Sequence, residues 1–325
     1  MLAAGSRARV AVAGVASMNI ALLITLALGL DYLLGEPRRY HPLVGFGNLA
    51  DRIEARLNRG ESLKVNGMSA WLLAVVPLVG GAYLLDRVLM DSSYIYLAWS
   101  AGMLYLALGW RSLMQHAQDV LQPLSNGDIV SARRAVSRIV SRDAEVLDET
   151  GVARGAIESV LENGADAIFA VIFWFCLLGV PGAVLYRLSN TLDAMWGYRN
   201  SRYRQFGWMA ARIDDWLNYI PARLTALAYA LLGDTRAAFH YWKTQGAIWK
   251  SPNAGPVMAA GAGSLNVSLG GAETYQGELQ QRPVLGPENS PQTRASSAAL
   301  AASCRLVNKS ILLWLLVIAL LDLLV

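Results

Sequence analysis

Three acidic residues recur at helical spacing near the middle of the chain. Glu158, Glu162 and Asp166 are four residues apart, which on an α-helix places their side chains on one stripe. Like charges at this spacing repel one another, so a cation or a basic partner is expected beside them. Hard oxygen ligands of this kind suit Mg²⁺ that is shared with substrate phosphates. The stripe predicts a metal site, and a solvated helix face with arginine partners such as Arg154 is the alternative.

Two further clusters mix carboxylate, amide and guanidinium groups. The first contains Asn190, Asp193, Tyr198 and Arg199, and the second contains Arg212, Asp214, Asp215, Asn218 and Arg223. An arginine can hold a phosphate through paired hydrogen bonds, and a carboxylate can complete a metal site or accept a proton. Helix capping by Asn190 or Thr191 and a salt-bridge ladder at a membrane interface are simpler explanations that stay open.

Two loops could also contact a ligand. Ser251, Asn253 and Gly255 lie in a turn of small and rigid residues whose backbone N–H groups suit an anion. His41 follows the first apolar segment and is a candidate general base or substrate contact, although a histidine in such a loop is often structural. The sequence has no GxxxxGK[ST] phosphate-binding loop, so any use of ATP would not involve that motif.

The composition is that of a membrane protein. The 325 residues are 54% apolar and 16% charged, against about 45–50% and about 25% in soluble domains, and the mean hydropathy is +0.34. The net charge of +4 fits cytoplasmic loops that are rich in Lys and Arg. Nucleic-acid binding is not expected, because the arginines are scattered and are not interleaved with stacking aromatics. The two cysteines form no metal or disulfide pattern.

We therefore predict a mainly α, polytopic integral membrane protein with helical and irregular cytoplasmic loops, built as a single membrane-embedded domain over residues 1–325. Spans are expected near residues 10–34, 71–90, 94–110, 168–188, 218–232 and 306–325. A Gly-Val-Pro-Gly sequence at residues 179–182 makes 168–188 a candidate re-entrant pair, and 218–232 is short enough to cross only in part. The first span lacks a cleavage site, so we interpret it as uncleaved, with Met1 or Met18 as the start.

Several blocks occur in the order typical of one family. They are Asp31–Pro37, Ser141-Arg142-Asp143, Glu158-Ser159 with Glu162-Asn163, Asn190-Thr191-Leu192-Asp193, Gly197-Tyr198-Arg199, Ala211-Arg212 with Asp214-Asp215, Pro221-Ala222-Arg223-Leu224, and Ser251–Gly255. On these blocks the chain resembles the CobD/CbiB family of adenosylcobinamide-phosphate synthases over nearly its whole length. It departs from the family pattern at Glu36, Ala144 and Val171, where Asp, Thr and Pro are frequent. The missing hydroxyl leaves any role for position 144 in doubt.

The resemblance implies a multi-pass enzyme of the bacterial inner membrane with its polar loops mainly cytoplasmic. It would join adenosylcobyric acid to aminopropanol, usually as the phosphate ester, with ATP as co-substrate and Mg²⁺ as cofactor. The lipid bilayer is its environment, and a homo-oligomer and a complex with other corrinoid-pathway enzymes both stay open. The expected metal ligands are Glu158, Glu162 and Asp166, and the expected catalytic carboxylates are Asp193, Asp214 and Asp215.

The remaining candidate residues are expected to bind phosphate or substrate. They are His41, Arg142, Asn190, Tyr198, Arg199, Arg212, Asn218, Arg223, Ser251, Asn253 and Gly255. A membrane transporter and a non-catalytic membrane scaffold for corrinoid enzymes are the alternative functions. A transporter would show related halves, which the sequence lacks, and a scaffold would not need clusters that each mix carboxylate, arginine and asparagine.

Overall fold

Helices dominate the computed structural model, which describes residues 19–37, 41–140, 142–275 and 277–324. In chain order they are α1 (Ile20–Leu34), α2 (Pro42–Leu57), α3 (Leu63–Leu89), α4 (Ser93–Ala107), α5 (Trp110–Ser125), α6 (Ile129–Val136), α7 (Glu149–Gly164), α8 (Ala170–Trp196), α9 (Trp208–Leu217), α10 (Tyr219–Leu232), α11 (Thr235–Gln245), α12 (Ala254–Leu265) and α13 (Ser297–Asp322). Short strands β1 (Leu269–Gly270), β2 (Glu273–Tyr275), β3 (Glu278–Gln280) and β4 (Val284–Leu285) pair antiparallel, β1 with β4 and β2 with β3. The mainly α prediction is confirmed.

Three helical stretches are long and apolar enough to cross a membrane. They are Leu63–Leu89, Glu149–Trp196 and Ser297–Asp322, and α1 and α10 are shorter apolar helices. The predicted spans near 71–90 and 306–325 fall on α3 and α13. The span predicted at 94–110 corresponds to α4, whose 15 residues are fewer than the roughly 20 needed to span. The span predicted at 10–34 begins outside the described residues.

The segment that contains Gly179 reverses direction. Gly179 has φ 63° and ψ −149°, a conformation open to glycine, and Pro181 follows it. A Cβ on Gly182 would lie 2.2 Å from the carbonyl oxygen of Trp174, whereas eight residues of straight helix would span about 12 Å. The chain therefore folds back on itself here, which agrees with a re-entrant pair; how far the pair enters a bilayer stays a prediction.

The chain divides into two compact units. Unit 1 comprises Met1–Gly109, Val171–Trp216 and Leu315–Val325, and unit 2 comprises Trp110–Ala170 and Leu217–Trp314. Each is described by itself below. The predicted single domain over residues 1–325 stays a prediction.

The core of unit 1 joins α2, α3, α8 and the loop at residues 197–207. Phe46, Trp71, Leu192, Trp196 and Phe206 are buried together. Glycine permits the closest approach, because a Cβ on Gly67 would lie 1.9 Å from the carbonyl oxygen of Phe206.

An ion pair between the exposed side chain of Arg202 and the buried carboxylate of Glu54 joins the same loop to α2. Arg202 donates from Nε and Nη2 to the two carboxylate oxygens of Glu54, at 3.0 and 2.7 Å. The loop that carries Arg199 is thus held by backbone packing on one side and by a bidentate pair on the other.

The core of unit 2 is built around α12, which is almost wholly buried. Its small residues let neighbouring helices approach, because a Cβ on Gly263 would lie 2.7 Å from the Cα of Ala238 and one on Gly261 would meet Leu161. Residues 233–309 are rich in Gly, Ser and Pro, a composition typical of irregular backbone. This region contains the helices α11 and α12, and its irregular backbone lies in the turn before α12 and in the stretch between α12 and α13.

We expect Gly67→Ala to lower the thermal stability of the purified protein. The new methyl group would overlap the Phe206 carbonyl, and overpacking of this kind typically costs about 1–3 kcal/mol. The matched control is Gly80→Ala in the same helix, where a Cβ meets nothing within 4 Å. Thermal unfolding in detergent measures both variants, and equal midpoints would contradict the close packing of this loop.

Candidate functional site

A cluster of buried charges lies in unit 2. It contains Arg142, Arg154, Glu158, Glu273 and Arg282, whose side chains are at most 17% exposed. Three guanidinium groups against two carboxylates leave a net charge of +1 (3 − 2). Buried charges are tolerated when they are paired and hydrogen-bonded, and this cluster satisfies that condition mostly within itself.

Glu158, on α7, is the most highly connected member of the cluster. Its carboxylate accepts from Arg142, from Arg282 Nη1 and Nη2 at 3.1 and 3.2 Å, and from the backbone N–H of Gly270 at 2.8 Å. Through these contacts it joins α7, the segment after α6, and the irregular segment after α12. One carboxylate thus orients two arginines and fixes the end of β1.

Glu273, on β2, holds the other side of the cluster. Its Oε1 accepts from Arg142 Nη1 at 2.9 Å and from Arg154 Nη1 at 3.2 Å, and it lies 3.6 Å from Arg282 Nη2. Arg142 is therefore bound between two carboxylates.

The residue next to Arg142 ties the β2–β3 hairpin to the same segment. The Asp143 N–H donates to the Thr274 carbonyl at 3.0 Å, and the Gly277 N–H donates to Asp143 Oδ2 at 2.7 Å. The two adjacent residues therefore act together: the Arg142 side chain lies in the cluster, and Asp143 holds the hairpin that brings Glu273 to the cluster.

A cavity of about 310 Å³ opens beside this cluster. Its wall includes Arg142, Glu158, Glu162, Lys250 and Arg282. Further lining residues are Ser159, Asn163, Trp249, Met258 and Gln280. The Arg282 guanidinium lies 5.3 Å from the centre of the Trp249 ring, a separation at which cation–π attraction contributes. Its cationic groups make the cavity suitable for an anion such as a phosphate.

The acidic stripe is distributed over different environments. Glu158 is engaged by arginines, Glu162 lines the cavity, and Asp166 is half-buried in the π-helical turn Ala165–Phe169. Within the described ranges, no group of three or more His, Cys, Asp or Glu side chains is arranged to hold a metal ion. Mg²⁺ in phosphate-transfer sites is often held by one or two carboxylates together with substrate phosphates. Glu162 fits that role, and the metal assignment of the stripe stays a prediction.

Arg223 and the turn at Ser251–Gly255 come together elsewhere in unit 2. Arg223 Nη1 donates to Asn253 Oδ1 at 2.6 Å, and Nη2 donates to the Pro252 carbonyl at 2.8 Å. The Arg223 guanidinium also stacks on Tyr219, 3.8 Å from the ring centre. Ser251 Oγ accepts from the N–H groups of Asn253 and Ala254.

The same turn explains why residue 255 is glycine. A Cβ there would lie 2.1 Å from the Gly246 carbonyl oxygen. Asn253 is buried at the start of α12 but makes no side-chain cap, because its amide oxygen is turned to Arg223.

In unit 1, the residues around Asn190 and Asp214 form a second polar group. Asn190 Nδ2 donates to Asp214 Oδ1 at 3.2 Å, and Asp214 is buried. Burial raises the pKa of Asp215, while the positive charges of Arg212 and Arg199 act in the opposite direction. The predicted clusters around residues 190–199 and 212–215 thus share one neighbourhood.

Two of the remaining candidates, His41 and Asp193, have local structural contacts. His41 caps α2, because its Nδ1 accepts a hydrogen bond from the Leu43 N–H at 3.1 Å. The pKa of His41 is lowered, chiefly by burial; the charge of Glu36 acts in the opposite direction and that of Arg187 in the same direction. Asp193 lies over Gly197, where a Cβ would approach Asp193 Oδ1 within 2.1 Å. Tyr198 is exposed and Asn218 is buried at the start of α10. Ligand contacts by these four residues stay predictions.

No sequence pattern identified Glu273 or Arg282 as a site residue. Both lie in a glycine-containing segment whose strands have only two or three residues each, so no periodic pattern identifies their facing side. The available signal was weak: a charged residue on each side of the hairpin, among glycines that permit close backbone approach.

The fold and the cluster define a helical membrane protein with a buried arginine–carboxylate centre. Residues 24–307 match the family model described as CobD/Cbib protein. Three relatives are each named "Cobalamin biosynthesis protein CobD". That of Stutzerimonas stutzeri is 57% identical over 93% of this chain and 97% of the relative. That of Chromobacterium violaceum is 51% identical over 91% and 95%, and that of Rhodobacter capsulatus is 38% identical over 87% and 93%. The chain matches no solved structure.

The chain belongs to the CobD/CbiB family. The resemblance stated from the sequence blocks is confirmed, and the chain takes part in cobalamin biosynthesis.

We expect Glu158→Gln to destabilise the protein strongly. The variant raises the net charge of the buried cluster from +1 to +2 (3 − 1), and breaking a buried ion pair typically costs about 3–5 kcal/mol. The control is Glu145→Gln, an exposed carboxylate. Thermal or chemical unfolding measures the loss, and adding Arg282→Gln to Glu158→Gln should recover part of it. Equal stability of the Glu158 and Glu145 variants would contradict the cluster's structural role.

We expect Asn253→Ala and Arg223→Gln to reduce turnover non-additively. A hydrogen bond to a charged group contributes about 1.5–3 kcal/mol, and contacting residues typically show coupling of about 0.5–3 kcal/mol. The measurement is a double-mutant cycle on kcat/KM, with unfolding midpoints as a control for folding. Additive losses, or losses that follow unfolding alone, would show that Asn253 does not position Arg223 for a ligand.

Proposed function

We propose that the chain is an ATP-dependent amide ligase, an adenosylcobinamide-phosphate synthase. It would join a carboxyl group of adenosylcobyric acid to the amino group of aminopropanol or its phosphate ester. Family membership over nearly the whole chain supports the reaction class. The observation that carries the proposal is the cavity of unit 2, where Arg142, Arg282 and Lys250 face the same space as Glu162.

The arginines of the cavity suit phosphate binding because they are oriented before a ligand arrives. Glu158 and Glu273 hold Arg142, and Glu158 holds Arg282. Electrostatic attraction is stronger in a partly buried site than in water. Lys250 is exposed and can adjust to the ligand. These three cations would bind a phosphate of ATP or of aminopropanol phosphate.

Mg²⁺ would stabilise charge on the phosphates of ATP, and Glu162, on the cavity wall, is the side chain that would hold it. The other acidic residue in this wall is Glu158. Its carboxylate is committed to arginines, and its role is to position them.

The reaction requires activation of a poor acyl donor. In the proposed sequence the substrate carboxylate attacks the γ-phosphorus of ATP, which gives an acyl phosphate and ADP. The amine then attacks the acyl carbon, phosphate leaves, and one proton is lost from the nitrogen. We propose Asp214 or Asp215 as the acceptor of this proton, a role open to a carboxylate.

We also propose that the protein resides in the bacterial inner membrane with its polar loops in the cytoplasm, where ATP is available. The excess of Lys and Arg in those loops supports this orientation. A reporter fused after Arg204 that is active only on the far side of the membrane would contradict it.

Reconstitution tests the activity directly. The full chain is purified in detergent and given adenosylcobyric acid, ATP, Mg²⁺ and aminopropanol phosphate, and the products are identified by mass. We expect one ADP for each adenosylcobinamide phosphate, and no product with EDTA. Substrate flux into proteoliposomes without chemical change would favour a transporter. Turnover that appears only with other corrinoid enzymes would favour a scaffold.

A variant pair connects this activity to the cavity. Lys250→Gln should raise KM severalfold for whichever substrate places its phosphate in the cavity, ATP or aminopropanol phosphate. It should leave KM for adenosylcobyric acid unchanged. Lys243→Gln is the matched control, because Lys243 is exposed and lies outside the cavity. Equal KM values in the two variants would show that the cavity does not bind the phosphate, even if the enzyme is active.

A further inference from the structure

Unit 1 carries a strongly basic surface that lies outside the cavity of the proposed reaction. It is formed by residues 51–64, from the last turns of α2 to the start of α3, and by the loop at residues 197–207. These two segments contain seven Lys or Arg residues and three Asp or Glu residues, a net charge of +4 (7 − 3). The whole chain also has a net charge of +4. The positive excess of the protein is therefore concentrated on this basic surface.

Contacts within unit 1 join the two segments into one surface. Besides the bidentate pair of Arg202 with Glu54, Asn58 Nδ2 donates to the Arg202 carbonyl at 3.2 Å. Lys64 Nζ lies 5.4 Å from the centre of the ring of Trp208, the residue directly after the loop. Because these contacts link the end of α2, the start of α3 and the loop, the two segments lie on the same side of any membrane that α3 crosses.

Six cations of the basic surface are exposed and are not neutralised by carboxylates. They are Arg52, Arg56, Arg59, Lys64, Arg199 and Arg204. Within the part of the chain that the structure describes, none of the six forms an ion pair, whereas the arginines of the buried cluster in unit 2 are paired with carboxylates. Like charges gathered on one surface repel one another, so an external anion would stabilise this arrangement.

The basic surface adjoins the place where the exposed apolar face of α3 begins. α3 is one of the helices that are long and apolar enough to cross a membrane. Directly after Lys64, the side chains of Val65, Met68 and Leu72 are 58%, 40% and 46% exposed. Trp208, beside Lys64, is also exposed, and tryptophan is enriched at the level where lipid headgroups meet hydrocarbon. The cations therefore lie at the height of the headgroups when α3 spans the bilayer.

We propose that the basic surface binds the anionic headgroups of membrane phospholipids. The lipid phosphates contact the guanidinium and ammonium groups, and the acyl chains of the same lipids pack on the exposed apolar face of α3. An acidic soluble protein would match the cations and leave that apolar face uncovered. A zwitterionic lipid brings a cation with each phosphate, so the surface selects lipids with a net negative charge.

The lipids that stay bound to the purified protein test the proposal. The full chain is reconstituted in nanodiscs of equal phosphatidylglycerol and phosphatidylcholine, released with mild detergent, and its bound lipids are quantified by native mass spectrometry. We expect the wild type to enrich phosphatidylglycerol at least about threefold, and added salt to reduce the enrichment. Inorganic phosphate should reduce it no more than sodium chloride of the same ionic strength, because free phosphate has no acyl chains.

Two variants of equal net charge separate this surface from the overall charge of the protein. The surface variant neutralises four exposed cations of the basic surface: Arg56→Gln, Arg59→Gln, Lys64→Gln and Arg204→Gln. The control variant neutralises four exposed cations of unit 2: Arg134→Gln, Arg236→Gln, Lys243→Gln and Arg294→Gln. Both variants change the net charge from +4 to 0 (4 − 4).

Only the surface variant should lose the enrichment of phosphatidylglycerol. A third variant, in which Arg56, Arg59 and Arg204 are replaced by lysine, should keep most of it, because the positive charges remain. Unfolding midpoints identify any variant that misfolds. In that case Arg56→Gln and Arg204→Gln are each compared with Arg236→Gln, and each should show a smaller enrichment than that control.

Three outcomes would overturn the proposal. The first is equal enrichment in the surface and control variants, or in the single variants that replace them. The second is binding of the two lipids by the wild type in the proportion of the nanodisc. The third is displacement of phosphatidylglycerol by inorganic phosphate beyond the effect of salt, which would assign the surface to free anions. Because the measurement is bound lipid, the result is independent of whether the proposed ligase activity is found.

Discussion

The pairing of Glu158 with Arg142 and Arg282 is the interaction on which the candidate site depends. A carboxylate on α7, an arginine that follows α6, and an arginine after the β2–β3 hairpin meet with their side chains at most 8% exposed. Each charge would be costly to bury alone. Because each one needs the others, the irregular segment after α12 has one favourable position against α7, and the cavity wall is defined by that position.

Close approach between backbone segments is a second constraint on the candidate residues. The turn at Gly255 and the loop that ends at Gly207 both lie against carbonyl oxygens, and a methyl group at either position would be within 2.1 Å of one. A methyl group cannot be accommodated there without a shift of the backbone. These glycines carry no chemistry, but they set how near Asn253 and the loop with Arg199 can come to their partners.

Features of the fold that depend on periodicity and composition could be predicted from the sequence. The helical class, the reversal near Gly179 and the family followed from apolar segment length, a Gly-Pro break and ordered blocks. It could not predict that Glu158 is paired with arginines, because Glu273 lies in a strand of three residues and Arg282 in the link between β3 and β4, where no periodic pattern shows which way a side chain faces. It also did not anticipate that Gly261 and Gly263 are helix-packing positions, because glycine-rich sequence predicts turns as readily as tight helix contacts.

The two polar groups, one around Glu158 and one around Asp215, differ in how strongly arginines stabilise their carboxylates, and this difference suits them to different chemistry. A carboxylate held between guanidinium groups is stabilised in its ionised form, so it is a poor proton acceptor but a good anchor for the arginines that would bind phosphate. Asp215 differs because burial outweighs the attraction of Arg212 and Arg199, so its pKa is raised. An amide ligase needs both properties: fixed positive charge for phosphate, and a carboxylate that gains by accepting a proton from the amine. An arginine close to a carboxylate lowers the pKa of that carboxylate, so Glu158, which is paired with two arginines, is suited to holding those arginines and is unsuited to accepting a proton.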